Sequence, residues 1–345
     1  MPFSGESMDA IFLQLLNGLD KGSAYALIAL GLTLIFGTLG VVNFAHGALF
    51  MIGGFCAVTV QMLLKLSTQV KDESIPGLEM MVDMPYLQLW LGDLGLQIIS
   101  FAVPLSILLA IPLMLALGVL MERGLIRHFY HRTHADQILV TFGLAIVLQE
   151  LVKSFFGATP IPTPAPDMFS GSANIGAWLG LGDNLSYPWW RLVYFCFSMV
   201  VIAIVFAFLQ FTTFGMVVRA GMRDRETVGL LGIHIERRFT IVFGIAVVVA
   251  GVAGAMYTPI VSPNYRIGMD FLVLSFVVVV VGGMGSLPGA VASGFLLGIL
   301  QSFASMNEVK QLIPGIDQVI VYLVAVLILL TRPRGLLGRK GVMED

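Results

Sequence analysis

NGLDKGSAYALIALGLTLIFGTLGVVNFAHGALFMIGG (residues 17–54) holds two apolar runs separated by one short polar break. The first belongs to an apolar segment over roughly 10–39 and the second continues to about 65; about 20 apolar residues suffice to cross a bilayer as a helix. Inside hydrocarbon every backbone N–H and C=O has to be bonded within the spanning segment, which admits only helices or a closed barrel. The alternating strands of a membrane barrel are absent, so the stretch reads as membrane helix. The first segment, interrupted by Asp20, Lys21 and Gly22, fits one tilted helix or a span plus a broken half-helix. The side of the membrane that holds the N-terminus therefore stays open.

Working outward, further apolar runs lie at roughly 94–120, 137–156, 189–211, 239–262, 270–284, 289–304 and 317–331. The composition agrees: 57% of the 345 residues are hydrophobic and only 12% charged, against about 25% charged in soluble domains. The expectation is an all-α integral membrane protein, a polytopic bundle of about eight to ten transmembrane helices, with residues 1–345 forming one membrane domain. Glu6 and Asp9 stand where a secretory signal would carry positive charge, so no cleaved signal peptide is expected. Cys56 and Cys196 each fall inside an apolar run and read as packed thiols.

Charge orients the chain, because short loops rich in Lys and Arg stay cytoplasmic. Arg123, Arg127 and Arg132 fall in 121–136; Arg219, Arg223, Arg225, Arg237 and Arg238 in 212–238; and Arg332, Arg334, Arg339 and Lys340 in the tail. The segments 67–93 and 157–188 hold one basic residue, Lys71, among the acids Asp72, Glu73, Glu79, Asp83, Asp93, Asp167 and Asp183. They are read as outer loops, 212–238 as a cytoplasmic loop, and the C-terminus as cytoplasmic. The PIPTPAPD stretch at 160–167 gives extended surface chain. A net charge of −2, with its basic residues scattered, excludes a nucleic-acid footprint.

Three stretches interrupt the apolar pattern with chemistry. In 37–47, Asn43, His46 and Gly47 either line and gate a path or form a tight turn with asparagine as a helix cap. In VGGMGSLPGA (281–290), Gly282, Gly283, Gly285 and Ser286 suit a re-entrant turn beside a path, while small residues equally allow close helix contact. It is no phosphate loop, since G-x-x-x-x-G-K-[ST] occurs nowhere. In RAGMRDRETVGLLGI (219–233), Arg219, Arg223, Asp224 and Glu226 precede Leu230 and Leu231, and Gly232 can stop a helix. A short amphipathic helix there suits a groove on a soluble partner; an ordinary inner loop explains the arginines but not the leucines. His128, His131 and His134 form a stripe without acidic or cysteine companions, so no metal site is expected.

Residues 17–54, 219–233 and 282–290 resemble the permease subunits of branched-chain amino-acid ABC importers, the LivH type. The resemblance implies the ABC importer permease fold in a bacterial inner membrane, with a homologous second permease, two cytoplasmic ATP-binding subunits and a periplasmic or extracellular solute-binding protein. It further implies that 219–233 corresponds to the coupling helix, with Glu226 and Gly232 at matching positions and Thr227 and Val228 replacing two alanines. The chain itself is then no enzyme and carries no cofactor. Urea, short amides and small organic acids stand as alternative cargo. An ion-coupled secondary transporter is the other class, but it needs intramembrane acids or unwound ion sites, and the span centres from 94 to 331 hold almost no ionisable side chain. A membrane enzyme would show clustered His, Asp, Glu or Ser, and no such cluster stands out in the sequence.

Overall fold

The computed structural model describes residues 5–72, 80–130, 132–179, 185–221, 225–233 and 235–338. Helix α1 (Gly5–Leu39) runs unbroken for 35 residues through Asp20, Lys21 and Gly22, which decides between the two readings of the first segment. After a break at 40–45, α2 (His46–Leu64) follows. An antiparallel hairpin, β1 (Ser67–Asp72) and β2 (Met80–Pro85), leads to the short helices α3 (Tyr86–Leu91) and α4 (Asp93–Ser100). Helix α5 (Ala102–Gly124) begins only after Phe101. The apolar run read as 94–120 is thus two helices, and the segment 67–93 is a hairpin and helix rather than a loop.

Helix α6 (His134–Phe156) precedes a segment containing β3 (Ser172–Asn174), α7 (Ile175–Leu179) and β4 (Ser186–Pro188), the two strands paired antiparallel. Helix α8 (Trp189–Phe211) leads into two short helices, α9 (Thr213–Gly221) and α10 (Arg225–Leu230). Helices α11 (Ile235–Tyr257), α12 (Ile267–Gly282), α13 (Leu287–Ala304), α14 (Asn307–Leu312) and α15 (Ile316–Thr331) complete the chain. Among the described residues seven helices are long and apolar enough to cross a membrane, while α12 and α15 are shorter apolar helices. At 16 residues each of these two spans about 24 Å, short of a hydrocarbon core of about 30 Å.

Helices α1 and α11 are buried nearly all round and form the centre; α5, α6, α8 and α15 stand outside with their leucines and phenylalanines exposed. Lipid tails are as apolar as leucine, so tight association inside a membrane rests on close backbone approach. Glycine supplies that approach between α1 and α13. A Cβ on Gly298 would lie 2.4 Å from Gly22 Cα, and one on Gly294 would lie 2.8 Å from Ala26 Cα. Helices α2 and α11 meet in the same way, with Gly53 against the Gly251 carbonyl.

The ends sort by charge. Phe12, Leu13 and Leu16 of α1 pack against Ala173, Ile175, Leu185 and Tyr187, so the start of α1 shares an end with the acidic segment 157–188. The tail 332–338 lies at the opposite, basic end, where the Leu336 and Leu337 amides donate to the Val281 and Gly282 carbonyls (2.8 and 3.1 Å). Cys196 is exposed on α8 rather than packed, and Cys56 is half-buried. The extended 160–167 stretch seals onto the α11–α12 connection, Ile161 N–H donating to the Pro263 carbonyl and Thr163 Oγ1 to that of Thr258.

Candidate functional site

The break after α1 forms because Gly40 takes φ +66, a left-handed backbone that ends the helix. The Asn43 side chain then accepts the Ala45 N–H (3.0 Å), and the His46 N–H bonds the Asn43 carbonyl (3.2 Å), turning the chain into α2. The Phe44 N–H donates to Thr141 Oγ1 at 3.0 Å. Thr141 lies about two turns into α6, so the break is recessed by about 10 Å from the basic end. Asn43 and His46 are both fully buried. The His46 ring fills a notch over Gly31, where a Cβ would lie 2.6 Å from Nε2, and neither ring nitrogen has a hydrogen-bond partner among the described residues. Gly47 backs onto α12, its Cβ position 2.1 Å from the Gly268 carbonyl. In this conformation Asn43 serves the turn while His46 and Gly47 sit in helix contacts.

The second stretch is a tight α12–α13 hairpin. A Cβ on Gly282 would lie 2.4 Å from the Gly289 carbonyl carbon, and Gly283, at φ +101, lies against Gly335 and Gly338 of the tail. Ser286 caps α13, its hydroxyl accepting the Gly289 N–H at 3.2 Å. Ser293 Oγ staples the two helices by donating to the Val278 carbonyl at 2.7 Å. Gly285, at φ +81, faces Gly37. The fold thus brings the 37–47 and 281–290 stretches together at the basic end, with the tail laid over the second.

Helices α9 and α10 stand at that same end. The corner after α8 requires Gly215, whose Cβ position lies 2.2 Å from the Leu209 carbonyl, and Thr212 Oγ1 caps the turn by accepting the Gly215 N–H at 3.0 Å. The Arg219 guanidinium donates to the Leu209 carbonyl, so this arginine locks the corner rather than projecting outward. Arg238 lies over the Phe214 ring at 5.2 Å and ties α11 to α9. Glu226 lies within α10; Arg223 and Asp224 lie outside the described residues, as does His131 of the histidine stripe. Val228 is buried, whereas Leu230 and Leu231 are 88% and 72% exposed, and Gly232 at φ +77 closes the element.

Two features escaped the sequence. Glu122, fully buried at the end of α5, accepts the Tyr130 hydroxyl at 2.6 Å and the Thr240 hydroxyl at 2.8 Å, joining α5 to the segment after it and to the second turn of α11. At the acidic end, Asp20 of α1 faces Arg191 of α8 at 3.5 Å, and Arg191 donates to Asn17 Oδ1 at 3.0 Å. Asp20 alone is conspicuous as an intramembrane acid; its partner lies too far along the chain to be read.

The family described as branched-chain amino acid transport system / permease component matches residues 14–330. The high-affinity branched-chain amino acid transport system permease protein LivH of Salmonella typhimurium is 28% identical over 95% of this chain and 96% of its own length. The corresponding protein BraD of Pseudomonas aeruginosa shows the same identity and coverage. A probable branched-chain amino acid transport permease protein LivH of Methanocaldococcus jannaschii is 25% identical over 90% of this chain and 88% of its own. No solved structure matches.

Proposed function

The chain belongs to the branched-chain amino acid transport system permease family, and from that premise we propose that it is the membrane subunit of an ATP-driven importer. It forms half of a translocation path for branched-chain or related amino acids, and a homologous second permease supplies the other half. The basic end faces the cytoplasm, following the positive-inside rule, with the C-terminus there and the chain in a bacterial inner membrane. The acidic end receives the ligand from a solute-binding protein. Two cytoplasmic subunits hydrolyse the ATP.

The observation that carries this reading is the exposed pair Leu230, the last residue of α10, and Leu231, in the turn after it, at the basic end. A motif with apolar anchors outside its own core fits a groove on a soluble partner. Its mounting suits a lever: the corner is braced by Gly215, Thr212 and Arg219, and the next helix in the chain after α10 is α11, one of the two central helices. Force on α10 is delivered to the start of α11, where Arg238 and Thr240 tie that helix to α9 and α5.

The test is the assembled complex. Gly232→Pro forbids the positive φ that ends α10, since proline is locked near −65°, and Glu226→Lys reverses a charge on the same helix. Both variants are expected to insert normally and to lose substrate-stimulated ATPase activity. Unchanged coupling in both removes the segment from the mechanism.

A further inference from the structure

Helices α3 and α4, between the acidic-end hairpin and the first residue of α5, have no part in the transport reading. They fold back on one another: Gly92, at φ +58, turns the chain, and Gly95 lies so close that a Cβ would sit 2.1 Å from the Leu87 carbonyl. Along α4 the residues at i, i+4 and i+7 form two neighbouring stripes. Asp93, Gln97 and Ser100 make a polar one, and Leu94, Ile98 and Phe101 an apolar one. Among the described residues nothing covers the apolar stripe. Leu94 is 62% exposed, and Trp90 beside it on α3 is 78% exposed.

The depth of this pair is set by its attachment. The Phe101 N–H bonds the Gln97 carbonyl at 3.2 Å and the Leu105 N–H bonds the Phe101 carbonyl at 3.0 Å, so α4 joins the spanning helix α5 without a spacer. The apolar stripe continues into exposed Leu108 and Leu109 of α5, a helix long and apolar enough to cross a membrane. Trp90 and Tyr86, rings 6.0 Å apart, are the residue types that settle at the headgroup layer. An amphipathic helix at that depth lies in the interface plane with its apolar face toward the acyl chains.

We propose that residues 86–101 are a membrane-interface anchor. Trp90, Leu94, Ile98 and Phe101 sit in the headgroup–acyl boundary of the leaflet at the acidic end, and Asp93 and Gln97 face water. The occupant of the exposed face is lipid, because the face is continuous with the exposed apolar side of α5, and Asp93 stays hydrated when that face meets the acyl chains. The Tyr86 N–H bonds the Leu66 carbonyl at 2.9 Å, so the anchor also fixes the base of the β1–β2 hairpin at the membrane surface.

The test uses the full chain, in a Cys56→Ala, Cys196→Ala background, reconstituted into vesicles of phosphatidylethanolamine and phosphatidylglycerol. Single cysteines placed in turn at 93, 94, 97, 98, 100 and 101 carry a nitroxide. The ratio of collision with oxygen to collision with a water-soluble nickel chelate is expected to oscillate with helical period, several-fold higher at 94, 98 and 101 than at 93, 97 and 100. Uniformly high nickel access places the stripe in water and overturns the proposal. Protection from both relaxants at 94, 98 and 101 means that a protein covers the face, a second copy or a solute-binding protein, and also overturns it. An independent reading without added cysteines is the quenching of tryptophan emission by lipids brominated near the headgroup. It is expected to fall in Trp90→Phe, and no change there counts against the anchor.

Discussion

Replacing Arg191 by methionine isolates what holds α1 against α8 at the acidic end. The Asp20 side chain is 2% exposed, and among the described residues neither carboxylate oxygen has a hydrogen-bond donor; its main compensation is the Arg191 guanidinium at 3.5 Å, with the Lys21 charge a smaller one. Removing one partner of a buried ion pair costs about 3–5 kcal/mol, because the remaining charge is left in low dielectric. Arg191 is itself a third exposed, so water can reach the vacated volume, and the expected loss falls near the lower figure, about 3 kcal/mol. Replacing both members by apolar residues of similar volume is often neutral or stabilising by about 1–4 kcal/mol. The predicted order of stability is therefore Asp20→Leu/Arg191→Met at or above the natural chain, with Arg191→Met well below both. The assay is the apparent melting temperature of detergent-solubilised chain, followed by size-exclusion after heating. A fall of several degrees is expected for the single variant, since 1 kcal/mol moves Tm by roughly 2–4 °C in chains of 150–250 residues and by less in longer ones. If Arg191→Met melts with the natural chain, the pair does not hold the two helices together. If the double variant falls as far as the single one, the loss comes from the arginine's packing and its bond to Asn17, and the charge argument is wrong.

At the α1–α13 crossing, Gly298→Ala is expected to cost about 1–3 kcal/mol, as overpacking does, because its methyl group would lie 2.4 Å from Gly22 Cα. Gly143→Ala in α6, where a Cβ meets nothing within 4 Å, is the control and is expected to leave melting unchanged or raised. Glu122→Leu removes the acceptor that the Tyr130 and Thr240 hydroxyls share and is expected to lower stability by about 1–3 kcal/mol. Glu122→Gln keeps one acceptor oxygen and is expected to fall between; equal melting of the Gln and Leu variants would show that hydrogen bonding there is not what matters.

The sequence makes the spans legible because hydrocarbon forces long apolar runs, and α2, α6, α8 and α13 begin and end within a few residues of those runs. It does not reveal the break at Phe101, since apolar residues continue on both sides of it. Nor does it decide whether α1 is broken. Asp20 and Lys21 look like an interruption until Arg191 is brought beside them, and no local pattern announces a partner on α8. The functional stretches fail in a consistent way. Glycine, asparagine and serine mark where the backbone departs from a plain span, but not what the departure faces. His46 has the chemistry of a gate and is found over the notch left by Gly31; Gly283 has the freedom of a re-entrant loop and is found against Gly335 and Gly338. Glu122, an acid beside Arg123 at the end of a run, carries no local sign of its role, since its partner Thr240 is brought to it by the fold of α11 onto α5 and Tyr130 by the segment after α5. Small residues in membrane helices carry two meanings, closeness and openness, and only the position of the neighbouring backbone separates them. Here closeness wins at Gly47, Gly282 and Gly283, where neighbouring backbone already occupies the place a Cβ would take.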